Sequence, residues 1–179
     1  SGLNYRLAGE VIGAADEVVP MILKGGGIKN TLIISPPGAG KTTMLRDIVR
    51  QLSYKSYRVS VVDERSEIAA LCEGRSAFDL GFSTDVLEGV DKAEGMLMVL
   101  RSMSPDVIVT DEIGKQSDID AIERITNSGA AVIATIHGRN IDMIKRRDDL
   151  KRMLKFFDLI ITLSKRKGIG TVEEALTEW

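Results

Sequence analysis

The sequence contains little cysteine and few aromatic residues, and it has no long hydrophobic run. Its 179 residues include one cysteine, Cys72, which cannot form an internal disulfide and suits a reducing compartment. Aromatic residues make up 4%, and we expect the adjacent Phe156 and Phe157 in the core, which argues against a stacking surface for single-stranded nucleic acid. No apolar run approaches the roughly 20 residues that span a bilayer, and no signal peptide opens the chain. By elimination, the sequence predicts a cytosolic protein.

The sequence also lacks a large excess of positive or negative residues. The 24 basic and 26 acidic residues give a net charge of −2, which disfavours wholesale binding to nucleic acid or to an acidic membrane. The charge is uneven, because residues 139–167, here called the basic segment, carry ten basic residues and four acidic ones. This segment could meet anionic lipid, nucleic acid or an acidic partner. An ordinary solvated helix face is the favoured interpretation, since Asp148 and Asp149 interrupt the run.

What the sequence does contain is an alternation of short apolar runs with helical patterns. With 44% hydrophobic residues it can bury a core, and we expect one domain over residues 1–179. The predicted strands are 31–34, 58–62, 107–110, 131–136 and 159–163, with a short terminal strand at 171–175 after a turn at 165–170. The predicted helices are 7–23, 41–52, 91–103, a helix capped by Ser117 that ends at Asn127 before Gly129, and one from Asn140 to about 156. This alternation predicts an α/β fold with a mostly parallel sheet flanked by helices.

The strongest signal is a glycine-rich loop between the first strand and the next helix. Residues 35–42, Ser-Pro-Pro-Gly-Ala-Gly-Lys-Thr, have the sequence of a P-loop except that Ser35 replaces its first glycine. Gly38 and Gly40 let backbone N–H groups close around phosphate oxygens at a helix N-terminus. Lys41 would bind the β- and γ-phosphates, and the Thr42 hydroxyl would bind Mg²⁺. The predicted nucleotide contacts are Pro36, Pro37, Gly38, Ala39, Gly40, Lys41, Thr42 and Thr43.

A second motif is the apolar strand 107–110, which ends in Asp111 and Glu112. In a P-loop ATPase the first such carboxylate holds a Mg²⁺-bound water, and the second polarises the attacking water. Adjacent acids at this place could also be an ordinary solvated helix start. With the P-loop upstream, the pair predicts hydrolysis, with Asp111 at the metal and Glu112 as the base.

Two further strands end in polar side chains. Asp63, Glu64 and Glu67 follow the second strand, and His137 follows the fourth. Ligands of open α/β sheets bind outside the carboxyl ends of the strands, so these groups could converge on one cleft. For Asp63 and Glu64 the alternative is capping of the next helix, and for His137 it is a structural or merely exposed position. We weigh a γ-phosphate-sensing role for His137 equally with that alternative.

The order of these motifs resembles a known family. The segments SPPGAGKTT, VVDERSEIA and LRSMSPDVIVTDEIG are similar to those of the stage III sporulation protein AA family, endospore-formation ATPases related to the type II and type IV secretion ATPases. The resemblance runs from about residue 7 to the end of the chain. It implies Walker A, Asp, Walker B and His boxes at residues 35–42, 63–67, 111–112 and 135–137. The wider superfamily has glycine where Asp111 stands, which leaves open whether Glu112 or an acid of the Asp box is the main base.

The resemblance also implies a fold, cofactors and partners. We expect a RecA-like core with strand order 5-1-4-3-2, which puts the His137 strand between the P-loop and Walker B strands. We expect ATP and Mg²⁺ as cofactors, catalytic roles for Lys41, Glu64, Glu112, His137 and Arg101, and a hexameric motor on a membrane channel at the cytoplasmic face. Of the candidate arginine fingers Arg65, Arg75 and Arg101, only Arg101 is preferred, because secretion ATPases carry an arginine just before the Walker B strand. The other two are more simply explained as surface or intrachain ion pairs.

Three functions are therefore considered. The first is an ATPase motor subunit that energises a membrane-associated secretion or channel complex in endospore formation. The second is a RecA-like nucleic-acid translocase, which would need a basic, stacking-competent groove. The third is a non-hydrolysing nucleotide-binding scaffold, which would bind ATP without releasing phosphate. No sequence motif for guanine recognition is present, so the preference for ATP rests on the resemblance.

Overall fold

The computed structural model describes residues 10–179, which form a layered α/β structure. The helices are α1 (Val18–Ile22), α2 (Lys41–Tyr54), α3 (Lys92–Met103), α4 (Gln116–Asn127), α5 (Ile141–Lys145) and α6 (Asp148–Met153), with a 3-10 turn at Leu154–Phe156. The strands are β1 (Thr31–Ser35), β2 (Val59–Asp63), β3 (Leu71–Cys72), β4 (Arg75–Ser76), β5 (Thr84–Glu88), β6 (Val107–Thr110), β7 (Ala131–His137), β8 (Leu159–Ser164) and β9 (Thr171–Leu176).

One seven-stranded sheet organises the fold. Its order is β5-β2-β6-β7-β1-β8-β9, and every neighbouring pair is parallel except β8 and β9. The five inner strands have the expected 5-1-4-3-2 order, with β7 between β1 and β6. The observed sheet differs from that order by an additional strand at each edge. The α/β fold class predicted from the sequence is confirmed.

The sheet is covered on both faces, as its continuous apolar strands predict. Successive residues of a strand point to opposite faces, so Ile33 packs in one core cluster with α1 and α2, while Leu32 and Ile34 pack in the other. The second cluster contains the buried sides of α3, α4, α5 and α6. This arrangement leaves the carboxyl ends of the parallel strands at one open edge of the sheet.

Edge strand β5 was missed by the sequence analysis. Its residues Thr-Asp-Val-Leu-Glu include three polar side chains, and none of the five is fully buried. A strand that pairs on one side only does not need a continuous apolar run, so it lacks the signal by which the inner strands were predicted. The two-residue strands β3 and β4, which form a separate hairpin, were missed for lack of length.

Three predicted helices need correction. Within the described residues, the helix predicted at 7–23 is helical only at Val18–Ile22, because Gly13 takes a φ of +89° that a helix does not accept; residues 7–9 lie outside the described part. The Ser117 helix begins before that residue, at Gln116, since the Asp118 carboxylate accepts hydrogen bonds from the amides of Gly114 and Lys115, both at 2.9 Å.

The helix predicted from Asn140 to about 156 is broken in two. Asn140 caps α5 as expected, accepting a hydrogen bond from the Met143 amide at 3.2 Å. The break follows at Arg147, whose backbone is extended and whose guanidinium pairs with Asp149 at 2.8 Å. Asp148 and Asp149 then open α6, where carboxylates are favoured by the helix dipole.

Candidate functional site

The P-loop lies at the open edge of the sheet, between β1 and α2. Gly38 and Gly40 take φ values of +68° and +90°, a backbone conformation that glycine accepts without strain, and Gly40 immediately precedes α2. The first turn of α2 therefore directs its free N–H groups towards the loop, with Lys41, Thr42 and Thr43 half-buried beside them. This is the strand, loop and helix arrangement that binds phosphate.

Strands β7, β6 and β2, which follow one another on one side of β1, bring the other predicted boxes to the same edge. His137 pairs with Ser35 in the parallel register of β1 and β7, and its side chain is exposed. Asp111 and Glu112 follow β6, the next strand beyond β7. The Glu112 carboxylate lies 3.6 Å from the Lys41 ammonium and 3.3 Å from the Arg65 guanidinium. The structure therefore brings the P-loop and the Walker B acids together.

Glu112 has a strained backbone. Its φ is +38°, which is unfavourable for a residue with a side chain. Its amide donates a hydrogen bond to the Thr135 hydroxyl at 2.8 Å, and its carbonyl accepts one from the Lys92 ammonium at 3.1 Å. Strained residues of this kind cluster at functional sites. Thr135 and Lys92 thus hold Glu112 in place; Thr135 lies in the predicted His box, whereas Lys92 had not been identified as a site residue from the sequence.

The acids Asp63 and Glu64 of the Asp box differ in whether their carboxylate oxygens are free to act on a ligand. Asp63 is fully buried, and its carboxylate accepts hydrogen bonds from the amides of Glu67, Ile68 and Ala69 at 2.8–2.9 Å. Asp63 therefore shapes the loop that follows β2. Glu64 is partly exposed and lies 3.8 Å from Lys92 and 4.0 Å from Lys115.

Asp111 offers an oxygen that suits a divalent cation. Its carboxylate is buried, and Oδ1 has no hydrogen-bond partner within the described structure, although the Lys92 ammonium lies 3.3 Å away. Carboxylate and hydroxyl oxygens are the ligands that Mg²⁺ prefers. Among residues 10–179, no group of three or more histidine, cysteine, aspartate or glutamate residues could hold a metal by itself. Phosphate oxygens of a nucleotide would complete a site formed by Asp111 and Thr42.

The loop between β8 and β9 also reaches the P-loop. The Gly170 amide donates a hydrogen bond to the Ala39 carbonyl at 3.0 Å. A β-carbon built on Gly38 would lie 2.9 Å from the Lys165 ammonium, and one built on Gly40 would lie 2.8 Å from a methyl carbon of Ile169. From the sequence, residues 165–170 were predicted to form a turn, and residues 165–167 were also counted in the basic segment. Their basic charge and their two glycines were the signals available, but their proximity to the P-loop depends on the pairing of β8 with β1.

Two predicted groups lie elsewhere. Arg101 is exposed near the C-terminal end of α3, nine residues after Lys92, which corresponds to about 13 Å along a helix. It is therefore not brought to the P-loop of its own chain. In the basic segment, part of the positive charge is compensated or covered, because Arg147 pairs with Asp149, Arg166 lies 3.7 Å from Glu173, and Lys155 lies over the Phe156 ring.

A charged cluster of Asp91 and Lys115 borders the site. Asp91 caps α3, and the hydrogen bond from the Glu94 amide, helped by Lys115, holds the pKa of its carboxyl below the usual range. The hydrogen bond to Asp91, together with the charge of Glu64, raises the pKa of the Lys115 ammonium. Lys115 is therefore a positive charge 4.0 Å from Glu64, and its side chain is 63% exposed.

The chain is similar to known proteins over almost its whole length. The family model described as sporulation stage III, protein AA, matches residues 1–178. Stage III sporulation protein AA of Bacillus subtilis (strain 168) is 40% identical over 181 residues, which cover 97% of this chain. The chain spans 59% of the length of that relative.

Two solved ATPase structures share the fold. The ATPase DotB of Legionella pneumophila matches with a TM-score of 0.60 and 21% identity, and the matched region covers 82% of this chain and 43% of the DotB chain. The VirB11 ATPase of the Brucella suis type IV secretion system matches with a TM-score of 0.64 and 15% identity, and the matched region covers 90% of this chain and 50% of the VirB11 chain. These similarities confirm the RecA-like P-loop ATPase fold. In the described part of the chain, no helix is both long and apolar enough to span a membrane.

Proposed function

This chain belongs to the stage III sporulation protein AA family, and on that premise we propose that it binds ATP with Mg²⁺ at the P-loop and hydrolyses it. The observation that carries the proposal is the contact between Lys41 and Glu112, 3.6 Å apart. Lys41 is the residue expected to bind the γ-phosphate, so a phosphate held there would have the Glu112 carboxylate beside it. A carboxylate in that place can orient and polarise an attacking water.

The roles of the other residues follow from their positions. Backbone N–H groups of residues 38–42 would bind the phosphates, and the oxygens of Thr42 and Asp111 would hold Mg²⁺. When bound, the ion supplies positive charge that stabilises the phosphate oxygens during transfer. Glu112 is favoured as the base over Asp63, whose carboxylate is occupied by three backbone amides. His137 is proposed to sense the γ-phosphate from the end of β7.

The proposal extends to a motor. A fold shared with secretion ATPases supports an oligomeric ATPase, which we propose is a hexamer in the full-length protein, acting at the cytoplasmic face of a membrane channel or secretion complex in endospore formation. A nucleic-acid translocase is less well supported, because Arg147 and Arg166 of the basic segment are in ion pairs and the segment has no aromatic residues beyond Phe156 and Phe157 to form a stacking platform.

The test is ATP binding and phosphate release by the wild type and by Lys41→Ala. We expect the variant to lose measurable ATP binding in calorimetry while its circular dichroism is unchanged, because the Lys41 side chain is 21% exposed and its ammonium lies beside the Glu112 carboxylate, which is itself 40% exposed. Lys55→Ala, at the other end of α2, is the matched control and should bind ATP normally.

The three functions predict different results in this assay. Unchanged ATP affinity in Lys41→Ala would remove the P-loop assignment. ATP binding without phosphate release at any protein concentration would favour the scaffold instead. Stimulation of turnover by DNA would favour the translocase, and stimulation by anionic liposomes would favour the membrane-associated motor.

A further inference from the structure

A buried lysine lies among the acids of the proposed site. The side chain of Lys92 is 7% exposed, and its ammonium lies 3.3 Å from Asp111 Oδ1 and 3.8 Å from Glu64 Oε2. The same ammonium donates a hydrogen bond to the Glu112 carbonyl at 3.1 Å. One side chain thus contacts the proposed metal ligand, an Asp-box acid and the proposed base.

The location of Lys92 is unfavourable in other respects. Lysine is almost never buried unless it is paired. Lys92 is also the first residue of α3, directly after the capping residue Asp91, where the positive end of the helix dipole disfavours a cation. The attraction of Asp111 and Glu64 must offset both costs. The ammonium is therefore held in the site by these two carboxylates and is not a solvated surface group.

We propose that Lys92 is a resident cation that excludes free divalent ions from the Asp111 carboxylate, so that a divalent ion binds there only together with nucleotide phosphates. The physical reason is charge balance. The ammonium partly neutralises Asp111 and Glu64, and it repels a second cation placed at the same carboxylate. Nucleotide phosphates bring enough negative charge to overcome this repulsion.

The geometry permits this role. Asp111 Oδ1 accepts no hydrogen bond within the described structure, so the Lys92 contact is an ion pair that leaves the oxygen free to bind a metal. Lys92 is in this respect a positioning and selectivity residue, because it acts through Asp111. The inference rests on the proposed function, since it requires Asp111 to face the divalent ion.

The experiment measures Mn²⁺ binding by electron paramagnetic resonance, with and without ADP, and uses Mn²⁺ as an oxygen-seeking substitute for Mg²⁺. Without nucleotide, Lys92→Met should bind Mn²⁺ about tenfold more tightly than the wild type, or more, because the repelling charge is gone. With ADP present, the difference should shrink to about threefold or less, since the phosphates already compensate the ammonium.

Two variants serve as controls: one keeps the positive charge at position 92, and the other removes a positive charge from a different position near Glu64. Lys92→Arg keeps the positive charge and should bind Mn²⁺ like the wild type. Lys115→Met removes a cation that also lies near Glu64 but is 63% exposed and is paired with Asp91, so it should leave Mn²⁺ binding unchanged. If thermal unfolding shows that Lys92→Met folds poorly, the comparison is repeated between Glu64→Gln and Glu64→Gln/Lys92→Met. In this background the removal of Lys92 leaves only one carboxylate, that of Asp111, without its ion pair.

The outcomes separate this inference from the proposed function. Equal nucleotide-free Mn²⁺ affinity with and without Lys92 in both backgrounds would overturn the inference. Asp111→Ala reports on the site itself, and we expect it to lose Mn²⁺ binding in the presence of ADP. If it instead binds Mn²⁺ with ADP as the wild type does, the metal assignment of the proposed function is wrong, and the inference about Lys92 is wrong with it.

Discussion

At the scale of single residues, Glu112 combines a strained backbone with a carboxylate beside Lys41. Glu112→Gln keeps the shape of the side chain and removes the charge that polarises water. We expect ATP to bind with nearly unchanged affinity while hydrolysis falls by about 10²-fold or more, since a positioned base contributes typically that factor. Calorimetry and single-turnover phosphate release measure the two effects separately.

Glu64→Gln is the matched comparison for this prediction. Glu64 also lies at the open edge but contacts Lys92 and Lys115 and not Lys41. A smaller effect in Glu64→Gln supports Glu112 as the base. Turnover that survives in Glu112→Gln and collapses in Glu64→Gln would assign the base to the Asp box.

At the scale of elements, the β8–β9 loop and the P-loop depend on each other. A β-carbon on Gly40 would meet Ile169 at 2.8 Å and the Gly170 backbone nitrogen at 3.2 Å, whereas one on Gly38 would meet only the end of the flexible Lys165 side chain. Both glycines have positive φ, which costs an alanine roughly 1–2 kcal/mol. Gly40→Ala should therefore lower the free energy of unfolding and the ATP affinity more than Gly38→Ala.

Urea unfolding and calorimetry of the two alanine variants check this prediction. The difference between them isolates the displacement of the β8–β9 loop, because the backbone strain is common to both. Equal losses in Gly38→Ala and Gly40→Ala would show that the contact with residues 169–170 contributes nothing to the P-loop.

At the scale of the whole molecule, Arg101 is exposed and is not brought to the P-loop of its own chain, and we propose that it acts as an arginine finger in the site of a neighbouring subunit. An arginine finger supplied by a neighbour is worth about 10³-fold or more in rate. We expect slow hydrolysis at low protein concentration and rising specific activity as subunits assemble. Arg101→Ala should flatten that rise and spare ATP affinity, whereas Arg124→Ala, another exposed arginine near a helix end, should not.

Mixing Arg101→Ala with Glu112→Gln subunits tests this assignment. A finger acting between subunits lets an intact base and an intact arginine meet at a mixed interface, so part of the activity should return. Light scattering must confirm that oligomers form. No recovery at any mixing ratio would contradict Arg101 as a finger acting between subunits.

The sequence by itself determined the five inner strands and the polar residues at their carboxyl ends, while the order of the strands was implied by the family resemblance. Continuous apolar runs predicted the five inner strands, because the side chains of a strand that is buried on both faces are mostly apolar. The P-loop could be predicted from spacing alone, since phosphate binding needs glycine, lysine and threonine in a local strand–loop–helix order. Asp111 and Glu112 were likewise visible as the polar end of an apolar strand.

Only the tertiary structure decided which of these groups meet and what holds them. Asp63 and Glu64 look alike in the sequence, yet one is tied to three amides and the other faces two lysines. Lys92 and Lys165 have no local motif, because their importance comes from contacts with residues distant in the chain. Edge strand β5 and the break at Arg147 depend on pairing and capping that hydrophobic periodicity does not record. Local order in the sequence thus encodes elements and phosphate chemistry, while the packing of elements against one another sets the electrostatics of the site.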